Sequence, residues 1–175
     1  MTDMDEFAAD PPVEERIGDA LRETDATIAV AESATGGLIG SLLTDVPGSS
    51  DYFDRSLVTY SYDAKRDVLA VPREHLDEYG AVSEPVARAM ARGVRDTADT
   101  TWGVATTGIA GPTGGDGDPV GTVYIAVAYA GAWGSGESAT GVERHVFDGD
   151  REQLKERFAR RALGDCLAAI ESRRD

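Results

Sequence analysis

Cysteine is almost missing from this chain: its 175 residues include one, Cys166, so no disulfide can form within it. Histidine occurs twice, at His75 and His145, in no spacing that ligates a metal, and no metal site is expected. No window approaches the ~18 consecutive apolar residues of a membrane span. The opening Met-Thr-Asp-Met-Asp-Glu lacks the apolar core of a secretory signal. A cytoplasmic location without a membrane partner is the expectation. Lysine is scarce as well: of 17 basic residues, only Lys65 and Lys155 are lysines. Against them stand 32 acidic residues, for a net charge of −15. No basic patch is present to displace counterions, so nucleic acid is excluded as a partner. The acids are spread along the whole chain. That pattern suits a surface adapted to high salt, where screening relieves self-repulsion.

What remains has the length and apolar content of one domain with a real core, 41% of residues being hydrophobic. Residues 1–10 read as a disordered acidic tail and residues 11–175 as a single domain. Pro11 and Pro12 open a helix with Val13, Ile17, Ala20 and Leu21 on one face. Thr27 to Ala31 is an apolar run suited to a buried strand. A helix is predicted from about Thr35 to Thr44, a strand over Ser56 to Tyr60, and short helices over Ala64 to Leu69 and Arg73 to Tyr79. Ser83 is the expected N-cap of a longer helix carrying Val86, Met90 and Val94. Strands follow at Trp102 to Thr106, Val123 to Tyr129 and Val142 to Phe147. Asp150 with Gln153 forms a capping-box pattern for the last helix, which carries Leu154, Phe158, Ala162, Cys166 and Ile170 inward. Cys166 therefore reads as a buried structural thiol. Strands and helices alternate early, and the last two strands are joined too tightly for a crossover. The predicted fold is α/β: a three-layer α/β/α sandwich with a mixed, mostly parallel sheet.

Three segments carry residues capable of chemistry. In Ala31-Glu32-Ser33-Ala34-Thr35-Gly36-Gly37 a buried strand gives way to a helix, the place where α/β proteins bind ligands. Ser33 there can meet a substrate beside backbone N–H groups able to hold an oxyanion; equally, Ser33 or Thr35 can merely cap the helix. A nucleophilic serine needs a base. His75, in a charged helical stretch, and His145, in a late strand, both read as surface residues. A desolvated lysine can replace histidine, and Lys65 follows the second strand closely in a chain where lysine is scarce, which suggests that its titratable amine matters; the alternative is a surviving surface lysine. Tyr60, ending that strand, is placed to donate a hydrogen bond to Lys65 or Ser33. The third segment, Thr106 to Gly115 and on to Thr122, is a glycine-rich loop beside two strand ends. It lacks the lysine of a P-loop, which argues against nucleoside triphosphate hydrolysis.

Together these segments resemble the CinA C-terminal domain family, the nicotinamide-mononucleotide (NMN) amidohydrolases. The resemblance rests on Ala-Glu-Ser-x-Thr-Gly-Gly at Ala31, Thr-Asp-Val-Pro-Gly-Ser-Ser at Thr44, Val-Thr-Tyr-Ser at Val58, Gly-Ala-Val-Ser-Glu-Pro at Gly80, Gly-Ile-Ala-Gly-Pro at Gly108 and Pro-Val-Gly-Thr-Val at Pro119. It covers about Val13 to Ala169. It implies a serine–lysine mechanism that hydrolyses the nicotinamide carboxamide and releases ammonia, without a cofactor. Ser33 would be the nucleophile, Lys65 the general base and Tyr60 its assistant. Glu32, Thr35, Gly36, Gly37, Thr107 and Gly108 would line the substrate site, with the backbone near Thr35 and Gly36 holding the oxyanion. Ser49, Ser50 and Arg151 are candidates for the phosphate or ribose.

The family usually has cysteine after the motif serine, where this chain has Ala34. Longer family members also carry an N-terminal domain linked to ADP-ribose hydrolysis, an activity not expected of these residues. The implied partner is a small nucleotide, and self-association into a homo-oligomer is the family habit. The alternative reading is a non-catalytic nucleotide-binding regulatory protein.

Overall fold

The strand that organises the molecule is apolar on both faces. Ile28–Glu32 (β1) is wholly buried, with Ile28 and Val30 on one side of the sheet and Ala29 and Ala31 on the other. The computed structural model describes residues 9–115 and 117–174. Residues 1–8 of the expected acidic tail lie outside the described residues. The chain enters through the helix Val13–Glu23 (α1) and passes along β1 into Leu38–Thr44 (α2). A 3₁₀ turn at Ser49–Asp51 leads to Phe53–Val58 (β2). Tyr62–Leu69 (α3), Arg73–Tyr79 (α4) and Glu84–Ala98 (α5) follow. Trp102–Gly108 (β3), Thr122–Tyr129 (β4), Ala139–Val146 (β5) and Arg151–Ser172 (α6) complete the order.

The sheet runs β2-β1-β3-β4-β5. β1 pairs parallel with β2 and β3, while β3–β4 and β4–β5 are antiparallel. The α/β sandwich is as expected, but parallel and antiparallel pairings are equal in number. The "mostly parallel" expectation holds by strand direction, since β4 alone runs against the other four, but only loosely by pairing, because β3, β4 and β5 form a meander. Among the described residues, neither connection in it carries the helix of the crossover that parallel pairing needs.

Side-chain size divides the two faces. Ile28, Val30, Val104, Val123 and Ile125 meet α1, α2 and α6 through Ile17, Leu21, Leu43, Leu154 and Phe158. Ala29, Ala31, Ala105, Ala126 and Ala128 meet α5, where Val86, Met90 and Val94 pack. Each large side chain so buried contributes ~1.5–3 kcal/mol. The alanine face lets α5 come close. At Gly103 of β3 an added Cβ would stand 2.2 Å from the Ala91 carbonyl oxygen of α5. Cys166 is fully buried as expected, and burial pushes its thiol well up from the ordinary value.

Candidate active site

The residues after β1 and β2 and at the end of β3 share one end of the sheet, where strand carboxyl ends open onto a cleft. Ser33 follows β1 directly. Lys65 sits one turn into α3, a helix started by Ser61, whose hydroxyl accepts from the Ala64 N–H at 3.0 Å. That short helix turns the lysine back toward β1. The Lys65 amine lies 3.0 Å from Ser33 Oγ, 2.7 Å from the Thr59 carbonyl and 3.1 Å from the Tyr60 carbonyl. The lysine is 0% exposed, and all three partners are uncharged. Desolvation lowers its pKa from 10.5 to about 8. In the neutral amine, two N–H bonds directed to the two carbonyls leave the lone pair aimed at Ser33. This is the arrangement in which a lysine can accept the serine proton.

Glu32 supports the turn that carries Ser33. Its carboxylate is fully buried, and five donors converge on it. They are the Thr35 hydroxyl at 2.6 Å, the N–H groups of Gly37, Ile39 and Gly40 at 3.2, 2.9 and 3.0 Å, and the Ser56 hydroxyl. Three of these are orphan donors at the start of α2. Glu32 therefore caps the helix from the strand, and neither Ser33 nor Thr35 does so; the N-cap position itself is Gly37. The helix begins at Leu38, three residues later than expected, because Gly36 and Gly37 take positive φ of 60° and 100°.

The expected substrate residues divide accordingly. Ser33, Tyr60, Lys65, Thr107, Gly108 and Arg151 border one cleft of about 190 Å³. Thr107 fixes its wall, its hydroxyl donating to the Ala81 carbonyl at 2.7 Å. Arg151, the first residue of α6, donates to the Gly111 carbonyl and so holds the glycine-rich loop at the rim. Tyr60 contributes differently from expectation: its main-chain carbonyl meets Lys65, while the residue as a whole is 64% exposed at the cleft mouth. Glu32 and Thr35 present no side chain to a ligand, because each is fully buried and hydrogen-bonded inward, Thr35 also to Thr106 at 3.1 Å. The Gly36 N–H is occupied by the Ser33 carbonyl. Among the described residues, the N–H groups of Ala34 and Thr35 donate to no protein acceptor. Thr35, Gly36 and Gly37 instead border a second groove of about 490 Å³, with Lys155 above Gly36. Ser49 and Ser50 lie in the 3₁₀ turn before β2, at the opposite end of the sheet from Ser33 within one chain.

The family model for the CinA C-terminal domain matches residues 10–170. The chain belongs to the CinA family. A CinA-like protein of Salinibacter ruber is 56% identical over 162 residues, covering 92% of this chain and 38% of that protein. One of Chlorobium limicola is 52% identical over 163 residues, 93% of this chain and 38% of the relative. The chain thus spans well under half the length of these CinA relatives. A solved structure of a competence-damaged protein (CinA) superfamily protein from Enterobacter cloacae superposes with a TM-score of 0.84 at 30% identity, covering 91% of this chain and 90% of that one. No helix of this CinA domain, among the described residues, is long and apolar enough to cross a membrane.

What sequence reasoning missed was Glu32 as the cap. One signal pointed to it: a carboxylate ending an otherwise apolar buried strand must find donors, and the nearest unsatisfied donors are those of the following helix.

Proposed function

We propose that this domain is an amidohydrolase that converts NMN to nicotinate mononucleotide and ammonia through a Ser33–Lys65 dyad. The observation that carries the reading is the buried Lys65 amine, 3.0 Å from Ser33 Oγ with no charged partner to hold its proton. Ser33 Oγ attacks the carboxamide carbon while neutral Lys65 takes the hydroxyl proton. The resulting oxyanion lies toward the N–H groups of Ala34 and Thr35. Collapse breaks the C–N bond, and the Lys65 ammonium protonates the departing amine to ammonia. Water, deprotonated by Lys65, then hydrolyses the acyl-serine ester. The Lys65 ammonium returns that proton to Ser33 as the ester C–O bond breaks, and the product acid leaves as the carboxylate, its own proton passing to solvent.

The cleft is smaller than the ~300–1,000 Å³ of common ligand sites. It suits the ring and its amide, with the ribose phosphate outside toward Arg151. Tyr60 offers an aromatic face at the mouth.

The test is ammonia release from NMN, measured at high salt. Ser33→Ala and Lys65→Ala should each lower turnover by at least about a thousandfold, as loss of a dyad member does. Full activity in either variant would break the dyad. Calorimetric binding of NMN by a folded wild type that releases no ammonia would instead favour the non-catalytic nucleotide-binding reading.

A further inference from the structure

His145 was expected at the surface of a late strand, with no ligand spacing around it. Folding gives it company from another element. Glu143 and His145 are two residues apart on β5, so both leave the sheet on the face covered by α6. Asp165 reaches them from α6. His145 Nε2 lies 3.1 Å from Asp165 Oδ2 and 3.7 Å from Glu143 Oε2, and all three ligand atoms lie within 4.8 Å of one another.

We propose that His145, Asp165 and Glu143 form a site for a borderline transition-metal dication, Zn²⁺ foremost, which fastens the edge strand β5 to α6. Zinc bonds to nitrogen and oxygen of ~2.0–2.2 Å place two ligands of a tetrahedral centre ~3.3–3.6 Å apart. The separations of 3.1 and 3.7 Å from the imidazole nitrogen bracket that spacing, and the two carboxylate oxygens lie within 4.8 Å of each other. The surroundings also orient the ligands. The imidazole stacks on Phe147, with centroids 5.8 Å apart and planes 26° from parallel. The other Asp165 oxygen accepts from Arg161 Nε at 2.8 Å, leaving Oδ2 directed at His145. Hydrogen-bonded outer partners of this kind fix ligating carboxylates.

A His–Asp hydrogen bond makes the 3.1 Å contact, and Glu143 adds a second carboxylate 3.7 Å from the same imidazole nitrogen. Glu143, 68% exposed, keeps an entry path and a side open to water as fourth ligand. The nitrogen donor and the low ligand number select against Mg²⁺ and Ca²⁺, which require more oxygen ligands.

The experiment is calorimetric titration of Zn²⁺ into tag-free, chelator-stripped protein in about 1 M KCl, where loose attraction to the acidic surface is screened. One equivalent of Zn²⁺ should bind per chain and raise Tm. His145→Ala and the exposed-site variant Glu143→Gln should each weaken binding at least about tenfold, with circular dichroism unchanged. His75→Ala should bind as wild type does. Three outcomes would overturn the site: no binding, Mg²⁺ binding as tight as Zn²⁺, or wild-type affinity in folded His145→Ala and Glu143→Gln.

Discussion

Lys65 is the charged side chain that burial penalises most directly, and its pH behaviour carries two predictions. Desolvation holds the folded amine at about 8, against 10.5 in the unfolded chain. Below about pH 8 the ammonium is charged in both states, and the cost of burying it is felt in full. Between about 8 and 10.5 the unfolded chain binds more protons, so stability rises with pH by up to about 3 kcal/mol from this group. Cys166 acts oppositely: its raised thiol loses stability as pH climbs above the unfolded value. Comparing the wild type with Lys65→Met cancels that contribution. Denaturant unfolding at pH 7.5 and 10 should show the wild type gaining on Lys65→Met at the higher pH; a gap independent of pH would refute the shifted amine. Turnover of NMN should climb about tenfold per pH unit below 8 and level off above it, because only the neutral amine accepts a proton. Glu32 makes the other prediction at this scale. Glu32→Gln turns an NH₂ toward donors that need an acceptor, at a cost of about 3 kcal/mol in thermal or denaturant unfolding. The Ser33 turn should loosen with it, lowering kcat more than it raises KM. Nothing in a chain with 32 acids marks one of them for this task except its place at the end of a buried run.

Helices and strands were legible where punctuation and period agreed. Arg73–Tyr79 has the boundaries its sequence predicts, because Pro72 precedes it and Gly80 follows it. The Asp150–Gln153 capping box forms both of its hydrogen bonds, at 3.0 Å each. Other elements depended on contacts that no local pattern encodes. β2 begins at Phe53, three residues early, because its register is set by pairing with β1. Ser83 takes the expected N-cap position of α5, yet its hydroxyl donates to the Gly80 carbonyl, leaving the helix N-terminus without a side-chain bond from it. The cleft shows the same division. Ser33 and Thr107 were visible beside strand ends and Lys65 by its scarcity just after one, and Arg151 came only with the family resemblance, whereas the partners of Glu32 and the Glu143–His145–Asp165 cluster arise from tertiary contact. Two element-scale variants test the account. Asp150→Ala should cost about 1 kcal/mol as a lost cap, and should raise KM because Arg151 is the next residue. Gly103→Ala should cost at least ~1–3 kcal/mol by overpacking α5 against β3, read from denaturant midpoints, with no change in KM at matched folded fraction.

At the scale of the whole molecule, the net charge of −15 opposes both compactness and the approach of an anionic nucleotide. Many of the ion pairs that offset it are exposed, such as Arg73–Asp77 and Arg66–Asp63. Pairs of that kind contribute ~0–1 kcal/mol each. Salt weakens them, but it weakens the long-range repulsion among the excess acids as well. Raising KCl from about 0.1 to about 1 M shortens the screening length from ~10 to ~3 Å. The repulsion, acting over distances longer than an ion pair, loses more. Tm should therefore rise across this range, and kcat/KM for NMN should rise with it as the field facing the substrate is screened. The charge itself can be tested apart from general salting-out. Glu15, Asp67 and Glu74 are exposed, and changing all three to Lys moves the net charge from −15 to −9. Self-repulsion grows as the square of the net charge, so roughly a third of the salt sensitivity should remain in the triple variant. An unchanged salt response in that variant, or an equal rise of Tm in sucrose, would show that the acidic surface is not what salt relieves.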